Sequence, residues 1–455
     1  MKQDAQQFKP EAIAKGPADD NEVKDYWGSG RSWLNWGLAT AFVVVVFAMN
    51  SGYAITNVSV SRDLGLTLTQ VGLVGSIYTW VFALAQFGSG SMLDRLGARW
   101  CLPGAAAALA AGAFLFANAQ NVQMLMAAQL LMALGGSFGF IGAGFAGGQW
   151  FSPLRYGFMF ALVQFAASSG AVFGQNALSG LMAAGTGWPA LITIIAAMAA
   201  AVCLAMLLLL RDPPGSAGTR AGWNGVYDFA DGILTSASTV AALRASWINA
   251  LIGGASFGAL FAVGVVWGPR LLTAAGFEPQ AAHFTTSLSW LGLATGAPAV
   301  AWLAERSGQL VRGLRIAVVV QMALIAGIIL FADSSLLTAQ ILFFAFGFAA
   351  GGSMLPYAIA AKLVPGRLIG TSAAVVNAVQ FIVGGLLMAL PGRVLSGGSD
   401  AGMPADPGFA AYQTALIALP LALGGAAFLG LFLKEPGSAA AEQQSRREVA
   451  GLLER

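Results

Sequence analysis

The residues best suited to chemistry are charged ones in a short segment between two apolar runs. The segment reads Gly90-Ser-Met-Leu-Asp94-Arg95-Leu-Gly97-Ala-Arg99, so a carboxylate and two guanidinium groups stand among glycines. At a helix end, a carboxylate and a guanidinium can form charge-assisted hydrogen bonds to each other and to neighbouring helix termini. Such bonds are suited to holding two parts of a protein together.

A shorter copy of this segment occurs in the second half of the chain. It keeps the acid and the arginine side by side, as Glu305 and Arg306, followed by Gly308. A second pair of loops also corresponds, because Pro153 and Pro365 each precede an arginine by two residues. Agreement at two separate places predicts that the two halves of the chain are related repeats.

Few other ionisable residues are candidates for a role. The only histidine, His283, is of a type that changes charge near neutral pH and could serve as a proton switch. Arg270 could bind an approaching carboxylate. The alternatives are a solvated helix end for His283 and a side chain that reaches the membrane interface for Arg270. Cys101 and Cys203 lie in apolar segments and are predicted to be packing residues, so no cofactor and no metal are expected.

The elements that must position these residues are apolar. The chain is 57% hydrophobic and 9% charged, with a mean hydropathy of +0.72. Lipid must therefore be the solvent for most of it, which excludes a soluble globule. A net charge of +3, spread along the chain, argues against nucleic-acid binding. The spans contain neither paired carboxylates nor a metal cluster, so the sequence predicts that the protein is not an enzyme.

Apolar runs of the length that crosses a bilayer follow one another along the chain. Six come first, at 33–59, 69–92, 101–119, 124–148, 158–184 and 188–210, and six follow at 246–272, 282–304, 316–332, 336–363, 368–390 and 409–433. The predicted fold is all-α, with twelve transmembrane helices in two six-helix bundles. Its parts are an N-terminal tail (1–31), a first bundle (32–210), a linker (211–244), a second bundle (245–434) and a C-terminal tail (435–455).

The basic residues predict the orientation in the membrane. All but Arg62, Arg270 and Arg393 of the 23 Lys and Arg residues fall in the tails or in the loops on the same side as the tails. Cytoplasmic loops carry such an excess, so both termini are predicted to be cytoplasmic. The first thirty residues have no apolar h-region, so no cleaved signal peptide is expected.

Neutral polar residues recur at helical spacing within the spans and are the candidates for binding a solute. They are Asn50, Tyr53, Asn57, Tyr78, Gln129, Gln164, Ser168, Gln175, Ser256, Trp267, Thr286, Trp290, Ser353, Tyr357, Asn377 and Gln380. Any one of them could instead bond a neighbouring helix, because polar groups in lipid must find partners. As a set they suit a small polar solute with at most one charge.

The Gly90 to Arg99 segment, its second copy and the two sets of six spans resemble the major facilitator superfamily over residues 33 to 435. The resemblance implies two bundles that rock about a central cavity. It also implies that Gly90, Asp94, Arg95, Gly97, Arg99, Glu305 and Arg306 gate the cytoplasmic side. Drug antiporters of the superfamily usually carry a Gly-Pro pair in span five, where this chain has Gly170-Ala-Val-Phe-Gly174.

The sequence therefore predicts a secondary active or facilitative transporter of the inner membrane. Its substrate is expected to be a small polar metabolite, resembling a monocarboxylate or an amino acid, with protons as a further partner. We expect a monomer surrounded by lipid. Proton-coupled efflux of drugs or metabolites is the first alternative, and a transporter-like receptor that senses a solute is the second.

Overall fold

The computed structural model describes residues 26–66, 68–214, 235–236, 238–395 and 408–436. These residues form helices joined by short connections. The first half contains α1 (Gly30–Asp63), α2 (Leu68–Leu96), α3 (Ala98–Ala117), α4 (Val122–Gly136), α5 (Gly139–Trp150), α6 (Tyr156–Ala183) and α7 (Trp188–Leu209). The second half contains α8 (Arg244–Ala262), α9 (Gly268–Ala274), α10 (Pro279–Ser307), α11 (Leu310–Phe331), α12 (Leu336–Ala350), α13 (Leu355–Leu363), α14 (Ile369–Leu395), α15 (Phe409–Leu416) and α16 (Ala418–Gly430).

Ten helical segments in the described ranges are long and apolar enough to cross a membrane. α4 with α5, α12 with α13, and α15 with α16 each form one such segment, whereas α2 and α6 are not among them. The outer surface is correspondingly apolar: Leu421, Leu84 and Trp100 have about two thirds of their side chains exposed. A water-facing surface would not keep so many large apolar groups exposed, so the fold is that of a multi-pass membrane protein.

Both halves interrupt their fourth span at an equivalent place. In the first half α4 ends at Gly136 and α5 begins at Gly139, and in the second half a 3-10 turn, Gly351–Met354, separates α12 from α13. A Cβ atom on Gly351 would lie 2.3 Å from the Gly296 carbonyl carbon, so only glycine allows α10 this close. The interruptions match the internal repeat that the loop motifs predict.

At one end of the bundle, the third span of each half is anchored by an acid that follows the last helix of that half. Asp212, just after α7, accepts a hydrogen bond from the Arg99 N–H (3.3 Å). Both oxygens of Glu435, just after α16, lie 3.1 Å from the Val311 nitrogen. The acceptors meet the second residue of α3 and of α11, where helix N–H groups lack internal partners. We call this the capped end.

The two cysteines have the predicted packing role. Cys101 is buried and Cys203 half-buried, and neither forms a disulfide. Each lies against a backbone carbonyl of a neighbouring segment, that of Met92 for Cys101 and that of Pro103 for Cys203. The predicted tails and linker fall mostly at 1–25, 215–234 and 437–455, outside the described residues.

Candidate functional site

Asp94, in the last turn of α2, reaches across to the other half at the capped end. Its carboxylate accepts hydrogen bonds from the Gly370 N–H (2.9 Å), the Thr371 N–H (2.8 Å) and the Thr371 hydroxyl (2.7 Å). Gly370 and Thr371 are the second and third residues of α14. A carboxylate at a helix N-terminus satisfies unpaired N–H groups and complements the positive end of the helix dipole. We call this contact the Asp94 cap.

Of the two kinds of bond expected for Asp94, the structure contains those to a helix terminus but not the one to its neighbour. In the described part of the chain, Asp94 and Arg95 form no ion pair, and the Arg95 Nε atom is buried without a hydrogen-bond partner. The Arg95 charge acts on Asp94 only at longer range. The reason is geometric: α14 offers two backbone donors and a hydroxyl in one place, and these occupy three of the roughly four acceptor positions of the carboxylate.

Glu305, in the last turn of α10, makes the reciprocal contact. Its Oε1 atom accepts a hydrogen bond from the Phe158 N–H (3.0 Å), and the neighbouring Gly157 N–H also acts on this carboxylate. Both residues are in the first turn of α6. The positive charges of Lys362 and Arg155 act on the same carboxylate. We call this contact the Glu305 cap. Each half thus supplies one acid that caps a helix of the other half.

The close crossing of α2 and α14 makes the Asp94 cap reachable. A Cβ atom on Gly90 would lie 2.3 Å from the Gly370 carbonyl oxygen and 2.6 Å from the Ala374 Cβ. Beside this crossing, the Ser91 and Thr371 hydroxyl oxygens are 3.1 Å apart. Gly90 is therefore needed for contact between the halves, since any side chain there would force α14 away.

Replacement of Gly90 by alanine is expected to weaken closure of the capped end. Because the new methyl would overlap backbone atoms of α14, the helices must separate, and the Asp94 cap lengthens. We expect the melting temperature of the purified protein to drop. Gly88→Ala is the matched control, since a Cβ there meets nothing within 4 Å. Equal melting temperatures of the two variants would contradict this role for Gly90.

Deeper in the protein, the halves meet through aromatic side chains. Phe160 of α6 stacks on Tyr357 of α13, with ring centroids 4.5 Å apart. Phe82 of α2 packs edge-on against Phe381 of α14 at 5.0 Å. These rings continue the closed contact inward from the two caps.

A hydrogen-bond network in the second half surrounds Tyr357. Its hydroxyl lies 2.8 Å from both Asn377 Oδ1 and Gln380 Oε1, and Gln380 Nε2 donates to the Ser353 carbonyl (2.9 Å). Asn249 Nδ2 donates to the Pro356 carbonyl (2.8 Å). The structure thus brings together four of the predicted binding residues, Ser353, Tyr357, Asn377 and Gln380.

Other predicted residues of the second half form hydrogen bonds to a neighbouring helix or within their own segment. The Ser256 hydroxyl donates to Gln321 Oε1 (2.6 Å) in a buried pair, and the Trp267 indole donates to the Met388 carbonyl (2.9 Å). The Thr286 hydroxyl bonds within its own helix (2.9 Å), and the Trp290 indole lies 3.4 Å from the Gly264 carbonyl. These contacts are the packing role that the sequence leaves open for them.

In the first half, the Gln164 amide donates to Ser168 (2.9 Å), Gln129 is buried, and Tyr78 stacks on Phe82 at 5.8 Å. The side chains of Asn50, Tyr53, Asn57 and Gln175 lie outside the described part of the structure.

The charged candidates near the opposite end stand apart from this region. His283 is exposed, and the exposed Arg270 guanidinium lies 5.7 Å from the centroid of the Trp267 ring. At the capped end, the exposed Arg306 lies over the Trp302 ring at 5.3 Å. Neither His283 nor Arg270 has a described contact with the Tyr357 network.

Sequence reasoning missed Gln86 and the rings of Phe82, Phe160 and Phe381. Gln86 is completely buried on α2, and neither polar atom of its side chain has a hydrogen-bond partner. One signal could have found it, because Gln86 lies one helical turn from both Phe82 and Gly90 and therefore shares their face.

The described helices and the reciprocal caps define a membrane protein built from two halves that contact each other through helix ends. The sequence pattern of the Major Facilitator Superfamily matches residues 38–388, and the chain belongs to this family. Membership of this family points to a transporter and not to an enzyme.

Relatives and solved structures agree with this assignment. The chain is 27% identical over 206 residues to an uncharacterized MFS-type transporter, MT3072, of Mycobacterium tuberculosis, covering 44% of each chain. It is 27% identical over 142 residues to the uncharacterized transporter YybO of Bacillus subtilis, covering 31% of this chain and 33% of that one. The matches thus span less than half the length of these relatives.

The fold resembles those of two solved transporters. One is the human organic anion transporter MFSD10 (TETRAN), with a TM-score of 0.66 at 16% identity, covering 88% of this chain and 99% of that one. The other is the E. coli fucose:proton symporter FucP, with a TM-score of 0.66 at 17% identity, covering 88% and 98%.

Proposed function

We propose that the protein moves a small polar organic metabolite across the inner membrane by alternating access. The observation that carries this proposal is the pair of reciprocal caps. Asp94 and Glu305 hold the halves together through bonds to helix ends, which can be broken without unfolding either half. Because each half keeps its own anchor at Asp212 or Glu435, the halves can rock as units while only the contacts between them change.

The topology belongs to the same proposal. We infer that α2 and α6, with 29 and 28 residues, are the two spans beyond the ten apolar segments, giving six in each of the bundles 32–210 and 245–434. Both helices are long enough to cross a bilayer, and both pack against a helix of the other half, α2 against α14 and α6 against α10. The distribution of Lys and Arg supports cytoplasmic termini, so the capped end would face the cytoplasm.

The substrate side of the proposal rests on the neutral polar residues. Amide and hydroxyl groups with aromatic walls suit a small solute that is oriented by a few hydrogen bonds. A monocarboxylate or an amino-acid-like solute is the class that the sequence favours, carried either downhill or together with a proton. His283 and Arg270 are retained as peripheral sites for proton coupling or anion contact.

The protein can be tested in liposomes with a uniformly 13C-labelled extract of cellular metabolites as the probe. Mass spectrometry would identify labelled solutes that accumulate above the level of protein-free liposomes. The measurement is made with an imposed proton gradient and with the gradient collapsed. Accumulation of a solute only with the imposed gradient indicates proton coupling. Equilibration of the solute across the membrane under both conditions indicates a facilitator. Uptake of no solute would contradict transport.

A further inference from the structure

Gln86 lies at the contact between the halves, opposite the Tyr357 network. On α2, Phe82 packs on Phe381 and Gly90 crosses Gly370 and Ala374 of α14. Since Gln86 lies midway between Phe82 and Gly90 on the same helix face, it faces the turn of α14 between Ala374 and Phe381. Asn377 is in that turn.

The side-chain amide of Gln86 is buried without hydrogen-bond partners. Its exposure is 0%, and neither Oε1 nor Nε2 has a partner. A buried amide in this condition is costly, particularly at membrane depth where water does not replace the missing bonds. Across the interface, Ser353 Oγ and Asn249 Oδ1 are also buried and unpaired. Polar groups from both halves therefore lack partners in the closed form.

The orientation of the Asn377 amide follows from proton counting around Tyr357. The tyrosine hydroxyl has one proton, but it lies 2.8 Å from two amide oxygens, those of Asn377 and Gln380. Gln380 is fixed because its nitrogen donates to the Ser353 carbonyl. The hydroxyl therefore donates to Gln380, and Asn377 must donate its own N–H to the hydroxyl. This leaves the Asn377 oxygen as a free acceptor.

We propose that Gln86 and Asn377, one from each half, bind hydroxyl or amide groups of an uncharged polar solute, and that the site selects such solutes over anions. This inference rests on the proposed transport function; among small polar metabolites it retains the uncharged ones and excludes ionised monocarboxylates. Gln86 supplies a donor and an acceptor, Asn377 supplies an acceptor, and Ser353 supplies a further hydroxyl. Solutes with several hydroxyl or amide groups match this mixed set.

Charge is the reason for the selection. The fully buried polar side chains of the described residues are uncharged: serine, threonine, asparagine and glutamine, together with tyrosine and tryptophan. The acids and bases of the described spans lie near helix ends, and none of them has a described contact with Gln86 or Asn377 that would let it pair with a carboxylate there. Burying an unpaired carboxylate costs far more than burying a hydroxyl that finds partners. An acid would enter only in its protonated, uncharged form.

The labelled-extract assay tests this inference through the identity of the accumulated solutes. At pH 7.5, we expect the solutes enriched by the unmodified protein to be uncharged and rich in hydroxyl or amide groups. Enrichment of carboxylates that are fully ionised at this pH would overturn the inference while leaving transport intact. If no solute accumulates, the proposed function itself fails, and this inference fails with it.

Gln86→Leu tests the residue. The leucine has similar volume but no polar atoms, so we expect KM for the enriched solute to rise about tenfold, the loss of ~1.4 kcal/mol of hydrogen bonding. The melting temperature of the unliganded variant should stay equal or rise, because two unpaired atoms are removed. An unchanged KM would overturn the role of Gln86 in binding.

Gln413→Leu is the matched control for this substitution. Gln413 donates to the Ile329 carbonyl (2.6 Å) within the second half, away from the contact between the halves. Because this bond is lost, we expect a lower melting temperature and an unchanged KM. If Gln86→Leu also lowers the melting temperature and leaves KM unchanged, Gln86 has only a structural role.

Discussion

Substitution of Asp94 by alanine should reduce uptake into liposomes at least about tenfold. The change removes the acceptor of three hydrogen bonds that join α2 to the start of α14. Charge-assisted bonds of this kind contribute about 1.5–3 kcal/mol each, so a net loss of about 3 kcal/mol in closure is a conservative value. It corresponds to a roughly hundredfold shift toward the form that is open at the capped end.

The position of that equilibrium can be measured with a reporter thiol. In a protein with Cys101 and Cys203 replaced by alanine, Ser91→Cys places a single thiol at the buried crossing of α2 and α14. Asp94→Ala should speed its reaction with a maleimide, whereas Asp333→Ala, at an exposed acid of the other end, should not. Slow labelling and full uptake by Asp94→Ala would contradict a gating role for the cap.

Oxidation of a Ser91→Cys/Thr371→Cys variant is expected to abolish uptake. The two hydroxyl oxygens are 3.1 Å apart, so thiols at these positions are close enough to form a disulfide when the capped end is closed. The bond would fix α2 to α14 and prevent the halves from separating there. We expect uptake to fall to the level of protein-free liposomes and to return on reduction.

The variant must again lack Cys101 and Cys203, and the two single-cysteine proteins are its controls. Formation of the bond is followed by loss of labelling with a polyethylene glycol maleimide, since an internal bond leaves the mass almost unchanged. The single variants should transport equally with and without oxidant. Full uptake by protein that is completely crosslinked would show that the capped end need not open during transport.

The sequence predicts the capped end better than the interior. Asp94 and Glu305 are recognisable because their neighbours repeat at the same spacing in both halves. Their partners cannot be recognised in this way, because Gly370 and Phe158 act through backbone N–H groups, which every residue type except proline possesses. Only the docking of one half on the other selects these particular helix ends, and a pattern along the chain carries little information about docking.

The polar candidates show the same limit. Ser256 and Tyr357 look alike as isolated polar residues in apolar spans, yet one is paired with Gln321 on its own side and the other is stacked on Phe160 of the opposite half. The spacing of Gln86 from Gly90 places it on the same helix face, but a single amide in an apolar run is usually paired, so the spacing alone does not mark it as a binding residue. Its significance depends on the absence of a partner, which only coordinates reveal.

The two caps that join the halves are unequal, and this bears on the order in which the halves part. Asp94 accepts three hydrogen bonds, whereas in the described part of the chain Glu305 accepts one, from the Phe158 N–H. Breaking the Glu305 cap on α6 should therefore cost less free energy than breaking the Asp94 cap on α14. Opening would then pass through a tilted intermediate in which one edge has separated and the other serves as a temporary pivot, so the transition would have two kinetic steps.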